Sequence, residues 1–126
     1  MWAQHTFDVD GRWDGRTLAA IVPIAVAQLA VALDPIEVIL FGSVARGEDG
    51  PDSDIDLLVV LDEVEPSDKR KLMAAARRAI TVAAPFDILV TDPAEIAARR
   101  DHVGSILYWP LREGKSVYPR AATYAG

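Results

Sequence analysis

The sequence predicts an α/β domain. Three short β-branched apolar runs, at residues 36–41, 55–61 and 86–90, alternate with longer stretches of helical periodicity. Glycine- and proline-bearing turns separate them, and the whole chain is 126 residues, enough for one domain with a modest core.

Residues 1–16 intersperse Trp2, Phe7 and Trp13 with Asp8, Asp10 and Asp14, and Asp10-Gly11 and Asp14-Gly15 are turn dipeptides. Both a short hairpin and a loosely held arm fit this pattern, so residues 1–16 are set apart as an N-terminal arm. Thr17 is a natural N-cap for a helix rich in Ala and Leu that runs to Leu33. Pro23 either kinks that helix or marks a later start. Asp34-Pro35 breaks it before the first strand.

Residues 42–53 are rich in turn formers, with Gly42, Gly47, Gly50 and Pro51, and the second strand that follows is apolar enough for burial on both faces. Pro66, Ser67 and Asp68 open a helix expected to reach about Val82, with Leu72, Ala76 and Ile80 on one face. Pro85 closes the connection to the third strand. Asp92-Pro93-Ala94-Glu95 has the form of a capping box with proline at the first helical position. The helical pattern then continues unevenly to Glu113 past Gly104 and Pro110, and Gly114 ends it. An edge strand is expected at 116–118. Residues 17–118 form the expected domain and 119–126 a C-terminal tail.

The formal charge is −6. Gripping a nucleic-acid backbone calls for clustered Lys and Arg, so direct nucleic-acid binding is not expected. The absence of cysteine excludes disulfides, thiolate chemistry and cysteine zinc sites. The most apolar stretch, 18–33, is shorter than the roughly 20 residues that span a bilayer and lacks the cationic start of a signal peptide. No membrane association is expected, and the cytoplasm is the default location.

The chemistry concentrates between residues 42 and 56. Asp54 and Asp56 are two apart at the opening of a strand, so both side chains leave from one face. Carboxylates held that close repel unless a cation lies between them, and an all-oxygen donor set suits Mg²⁺ or Mn²⁺. Taken alone, such a pair is more often simply a pair of solvated residues at a strand end. Gly42-Ser43 follows the first strand, where glycine admits a phosphate close to the backbone and the serine hydroxyl adds a donor. An ordinary turn would read the same way. No Lys-Ser or Lys-Thr pair closes the turn, so this is not a Walker loop.

Topology links the pieces. A right-handed parallel crossover through the helix at 66–82 would set the start of the third strand, with Asp87, beside the start of the second. If the first strand runs antiparallel to the second, Gly42 and Ser43 arrive at the same edge.

Gly42-Ser43-Val-Ala-Arg46-Gly, Ser53-Asp54-Ile-Asp56-Leu-Leu-Val and Asp87 in Phe-Asp-Ile-Leu-Val together resemble the signature of the polymerase-β-type nucleotidyltransferase superfamily. The small size and the Ala-Arg-Gly variant most resemble the minimal nucleotidyltransferases, the MNT antitoxins paired with HEPN ribonuclease toxins. The resemblance covers roughly residues 17–118. It implies a small mixed β-sheet flanked by helices, with a nucleoside triphosphate bound at the sheet edge. Carried over position by position, Gly42 and Ser43 hold the triphosphate, Arg46 touches phosphate, and Asp54, Asp56 and Asp87 are the catalytic carboxylates that bind two Mg²⁺ ions. The implied reaction is transfer of AMP from ATP to a hydroxyl, a tyrosine of the cognate HEPN toxin. Asp87 would accept the proton of that hydroxyl.

Two alternatives stay open. One is an antitoxin that neutralises its partner by binding and occlusion, without catalysis. The other is a nucleotidyltransferase for a small-molecule acceptor, which would need a homodimer or hetero-oligomer to build a pocket that so short a chain lacks. Trp2, Trp13 and Trp109 fit either partner contacts or the structure itself.

Overall fold

The computed structural model describes residues 12–13 and 15–119 of the chain. A minimal hairpin, β1 (Arg12–Trp13) with β2 (Arg16–Thr17), leads into helix α1 (Leu18–Leu33). The order continues β3 (Glu37–Phe41), α2 (Gly42–Arg46), β4 (Ile55–Val60), a 3-10 turn (Pro66–Asp68), α3 (Lys69–Ala79), β5 (Phe86–Thr91), α4 (Pro93–Arg99), α5 (Tyr108–Glu113) and β6 (Lys115–Pro119). Four strands form one mixed sheet in the order β5-β4-β3-β6. β4 and β5 are parallel, and β3 is antiparallel to both of its neighbours. The α/β class and the small mixed sheet flanked by helices are therefore as the sequence predicts.

Two apolar layers hold the sheet. On one face Ile55, Leu57, Val59, Ile88 and Val90 pack with Leu18, Ile21, Val22 and Leu29 of α1 and Ala76 of α3. On the other, Ile39, Leu58 and Val60 pack with Leu107 and, at the margin, Phe41, Ile96 and Leu111. The side-chain period of two along β4 separates these sets. It also assigns Asp56 to the second face, in line with Leu58 and Val60. That face is covered by residues of α4, α5 and the segment between them, while α1 and α3 cover the opposite one.

Local chemistry explains most boundaries. The Ala20 amide donates to Thr17 Oγ1 at 3.1 Å, the N-cap expected of that residue. α1 begins at Leu18, and Pro23 lies inside it on the solvent side, neither delaying its start nor ending it. Asp34 terminates the helix in a left-handed conformation, its amide bonded to the Ala30 carbonyl at 3.1 Å. The Glu95 amide donates to Asp92 Oδ1 at 2.8 Å, completing half of the capping box. The Glu95 carboxylate, however, turns to Lys69 Nζ at 2.7 Å and to the Thr91 hydroxyl, tying α4 to the start of α3.

The turn-rich segment 42–53 begins with a helical turn, α2, closed by Gly47 at φ +71°. Two expectations are corrected. The helix after Pro66 stops at Ala79, three residues before Val82. Gln28 of α1 clamps its end, accepting from the Thr81 amide at 3.0 Å and donating to the Thr81 hydroxyl at 2.6 Å. The uneven helical pattern after Asp92 resolves into two helices joined by turns at 100–107, which contain Gly104. Pro110 sits in the first turn of α5, where its missing amide hydrogen costs nothing. Gly114 ends α5 with ordinary φ. Its requirement is space, because a Cβ there would collide with Ile39 Cγ2 and the Pro110 carbonyl.

Trp2 and Phe7 lie outside the described residues, as do most of the expected arm and the tail beyond Pro119. Among the described residues no helix is long and apolar enough to cross a membrane.

Candidate active site

The candidate residues meet where β3 ends and β4 and β5 begin. Phe41, Asp56 and Asp87 occupy one cross-strand row: Phe41 pairs with Asp56 across the antiparallel β3–β4 ladder, and Asp56 with Asp87 across the parallel β4–β5 ladder. Both pairings required of the sequence, antiparallel then parallel, are present. Asp56 and Asp87 are adjacent on one sheet face, with Asp54 two residues upstream of Asp56.

Gly42 follows Phe41 directly and shows why only glycine serves there. Its φ is +76°, and a Cβ would fall onto the Asp56 carboxylate. The bare backbone of the turn thus lies flush against Asp56. α2 starts at that glycine, and Phe41 offers no side-chain cap to its first-turn amides. Ser43, half-buried, is the next residue of this turn, and its carbonyl accepts from the Glu48 amide at 2.9 Å. Beyond α2 the loop is fixed by a reciprocal pair between Gly50 and Ser53. The Gly50 amide donates to Ser53 Oγ at 2.9 Å, and the Ser53 amide to the Gly50 carbonyl at 3.1 Å.

The electrostatics of Asp56 mark it among the carboxylates. Its pKa is pushed up to about 6, first by burial, then by the negative charges of Asp87 and Asp54, while Arg46 opposes the rise. Asp54 and Asp87 are exposed, so the site grades from a half-buried carboxylate to two solvated ones. Among the described residues no three His, Cys, Asp or Glu side chains are gathered into a ready-made metal cage. A divalent ion nevertheless matches the donor set. Asp56 is destabilised by two like charges that a cation would neutralise, its oxygens are hard donors, and Mg²⁺ ordinarily completes its shell from water and phosphate.

Arg46, at the C-terminal end of α2, does not project freely. Its Nε pairs with Glu48 Oε1 at 2.9 Å, and Nη1 lies 3.7 Å from Glu113 Oε1 at the end of α5. Its hydrogen bond to Glu48, with the charges of Glu48, Glu113 and Asp56, raises its pKa against the opposing effect of burial. Glu113 is a site neighbour that sequence reading missed, since nothing local to either residue signals the meeting of α2 with α5.

The segment that carries α5 adds a second feature to this face. Val103, Ile106 and Trp109 are exposed apolar side chains, with Trp109 at 55%. Tyr108 stands edge-on to Trp109 at 4.9 Å and carries the Arg112 guanidinium 4.3 Å from its ring centre.

Comparison with known proteins agrees with this geometry. The family model described as "Nucleotidyltransferase domain" matches residues 25–106, which span β3, the Gly42-Ser43 turn, Asp54, Asp56 and Asp87. No curated protein sequence matches the chain. Its fold is similar to the crystal structure of a proposed nucleotidyltransferase from Sulfolobus solfataricus, at 23% identity and a TM-score of 0.59, over 82% of this chain and 81% of that one. With the family match extending over well more than half its length, the chain belongs to the nucleotidyltransferase domain family and is a transferase of the nucleotidyl-transferring kind.

Proposed function

We propose that this protein is a minimal nucleotidyltransferase antitoxin that transfers AMP from ATP to a tyrosine hydroxyl of a cognate HEPN ribonuclease toxin in the cytoplasm, silencing it. What carries the reading is the row Phe41–Asp56–Asp87 with Gly42 packed against the Asp56 carboxylate. It joins a close-approach backbone turn to two adjacent carboxylates, the pairing that nucleotidyl transfer requires.

The residues divide by role. The amides of the Gly42-Ser43 turn and the Ser43 hydroxyl hold the triphosphate, and Arg46, released from Glu48, pairs with phosphate oxygen. Asp54, Asp56 and Asp87 would hold two Mg²⁺ ions. When bound, Mg²⁺ supplies charge neutralisation on the phosphate oxygens and a lowered pKa for the acceptor hydroxyl. The acceptor oxygen forms a bond to the α-phosphorus as the bond to pyrophosphate breaks, and Asp87, the exposed member of the Asp56–Asp87 pair, takes the hydroxyl proton. A protein acceptor suits the shape of the site: the carboxylate edge is open, and the exposed Val103, Ile106 and Trp109 flank the face that carries it.

The test separates catalysis from occlusion. The wild-type chain with ATP and Mg²⁺ should label the product of the neighbouring gene and restore growth to cells that express it. Asp54→Asn with Asp56→Asn should abolish labelling without lowering the melting temperature. Full neutralisation by that double variant would assign protection to binding alone.

A further inference from the structure

The α1 helix carries no charged side chain along its 16 residues, yet only one side of it is buried. Leu18, Ile21, Val22, Ala25, Val26 and Leu29 face the sheet. Directly opposite, Ala20, Ile24, Ala27 and Val31 face solvent, with Val31 89% exposed. On an ideal helix these four fall within an arc of about 60°. Their spacing alternates four, three and four, the rhythm of a coiled-coil seam rather than of a solvated surface. A helix that is apolar all round is expected to be covered on both sides.

We infer that this seam is the interface of a homodimer in which two α1 helices pack antiparallel about a two-fold axis centred between Ala25 and Val26. The occupant follows from self-complementarity. Antiparallel pairing about that centre sets Ala20 opposite Val31 and Ile24 opposite Ala27, so each of the four layers matches one small residue with one β-branched residue. A parallel arrangement sets Ile24 on Ile24 and Ala27 on Ala27, leaving layers alternately crowded and empty. Charge favours the same contact. Two copies each bearing a formal −6 repel, and α1 is the element on which they can meet without bringing charged side chains together.

Size sets the strength. A 16-residue helix is about 24 Å long and buries roughly several hundred Å² per copy, which is near the lower limit of specific interfaces, about 1,000 Å² in total. An interface at this low end is that of a weak, concentration-dependent dimer. The seam lies on the helical layer opposite the sheet face that holds Asp56 and Asp87. Both carboxylate edges therefore stay open in the dimer, and the interface does not compete with an acceptor.

Sedimentation velocity of the full chain across the micromolar range tests this. The wild type should pass from monomer to dimer. Val31→Glu should weaken dimerisation at least tenfold, with an unchanged circular dichroism spectrum because the position is exposed. Adding Ala20→Lys to Val31→Glu puts opposite charges in one antiparallel layer and should restore the dimer, whereas adding Ala20→Glu should not. A wild type that stays monomeric throughout overturns the inference and leaves the face to another protein or to the N-terminal arm. A dimer indifferent to Val31→Glu, or equal behaviour of the two double variants, overturns it as well.

Discussion

Asp56 and Asp87 are direct register partners on the parallel strands β4 and β5, so their side chains leave the sheet on the same face one strand spacing apart. Asp87 is the larger of the two charge effects that raise the Asp56 pKa, after burial itself. A half-buried carboxylate kept beside two others is a cost to the fold, and the cost falls at the proposed active site.

That cost has a pH signature in the metal-free protein. Asp56 titrates near 6 in the folded state, above its ordinary 3.8, so the folded state holds the extra proton between those values. The associated stability is complete below the unfolded value and lost as pH rises through about 6. Carboxyl NMR of chelator-treated protein should show the elevated midpoint, and Asp87→Asn should lower it. An Asp56 midpoint that Asp87→Asn leaves in place would refute the coupling.

Glu95 behaves in the opposite sense. Burial alone would raise its pKa, but hydrogen bonds from Lys69 and Thr91, with the charges of Lys69 and Arg99, hold it below its usual range. Its contribution is therefore present above the unfolded value of 4.5 and lost as pH falls through the lower folded value. Glu95→Gln should cost about 1–3 kcal/mol at neutral pH by urea denaturation. The difference from wild type should shrink on acidification below the unfolded value.

Gly42→Ala introduces a Cβ onto the Asp56 carboxylate at a residue with φ +76°. The strain should lower stability by about 1–3 kcal/mol and displace Asp56. ATP binding measured by calorimetry should weaken by more than the corresponding change at Gly47→Ala. Gly47 shares the positive φ but has open space around it.

Fold and site were unequally legible in the sequence. Signals confined to a few residues read true: Thr17 and Asp92 as N-caps, Asp34-Pro35 as a break, and Gly42 as the turn that ends the first strand. The Asp56–Asp87 pairing was reachable only through topology, because the crossover rule fixes which strand starts lie side by side. What escaped depends on contacts between distant segments. The end of α3 is set by Gln28 on another helix, Glu95 abandons its own capping box for Lys69, and Arg46 is held by Glu113. No periodicity or motif encodes those meetings. The run 18–33 is apolar except for Gln28, and nothing in it marks which of its faces is open.

The most direct measurement compares two labels of ATP. With Mg²⁺ and the proposed toxin partner, label at the α-phosphate should transfer to the acceptor while label at the γ-phosphate should leave as pyrophosphate, and Asp56→Asn should stop the transfer without unfolding the chain. Transfer of the γ-label, or α-label transfer that survives Asp56→Asn, would contradict nucleotidyl transfer at the Asp56–Asp87 edge.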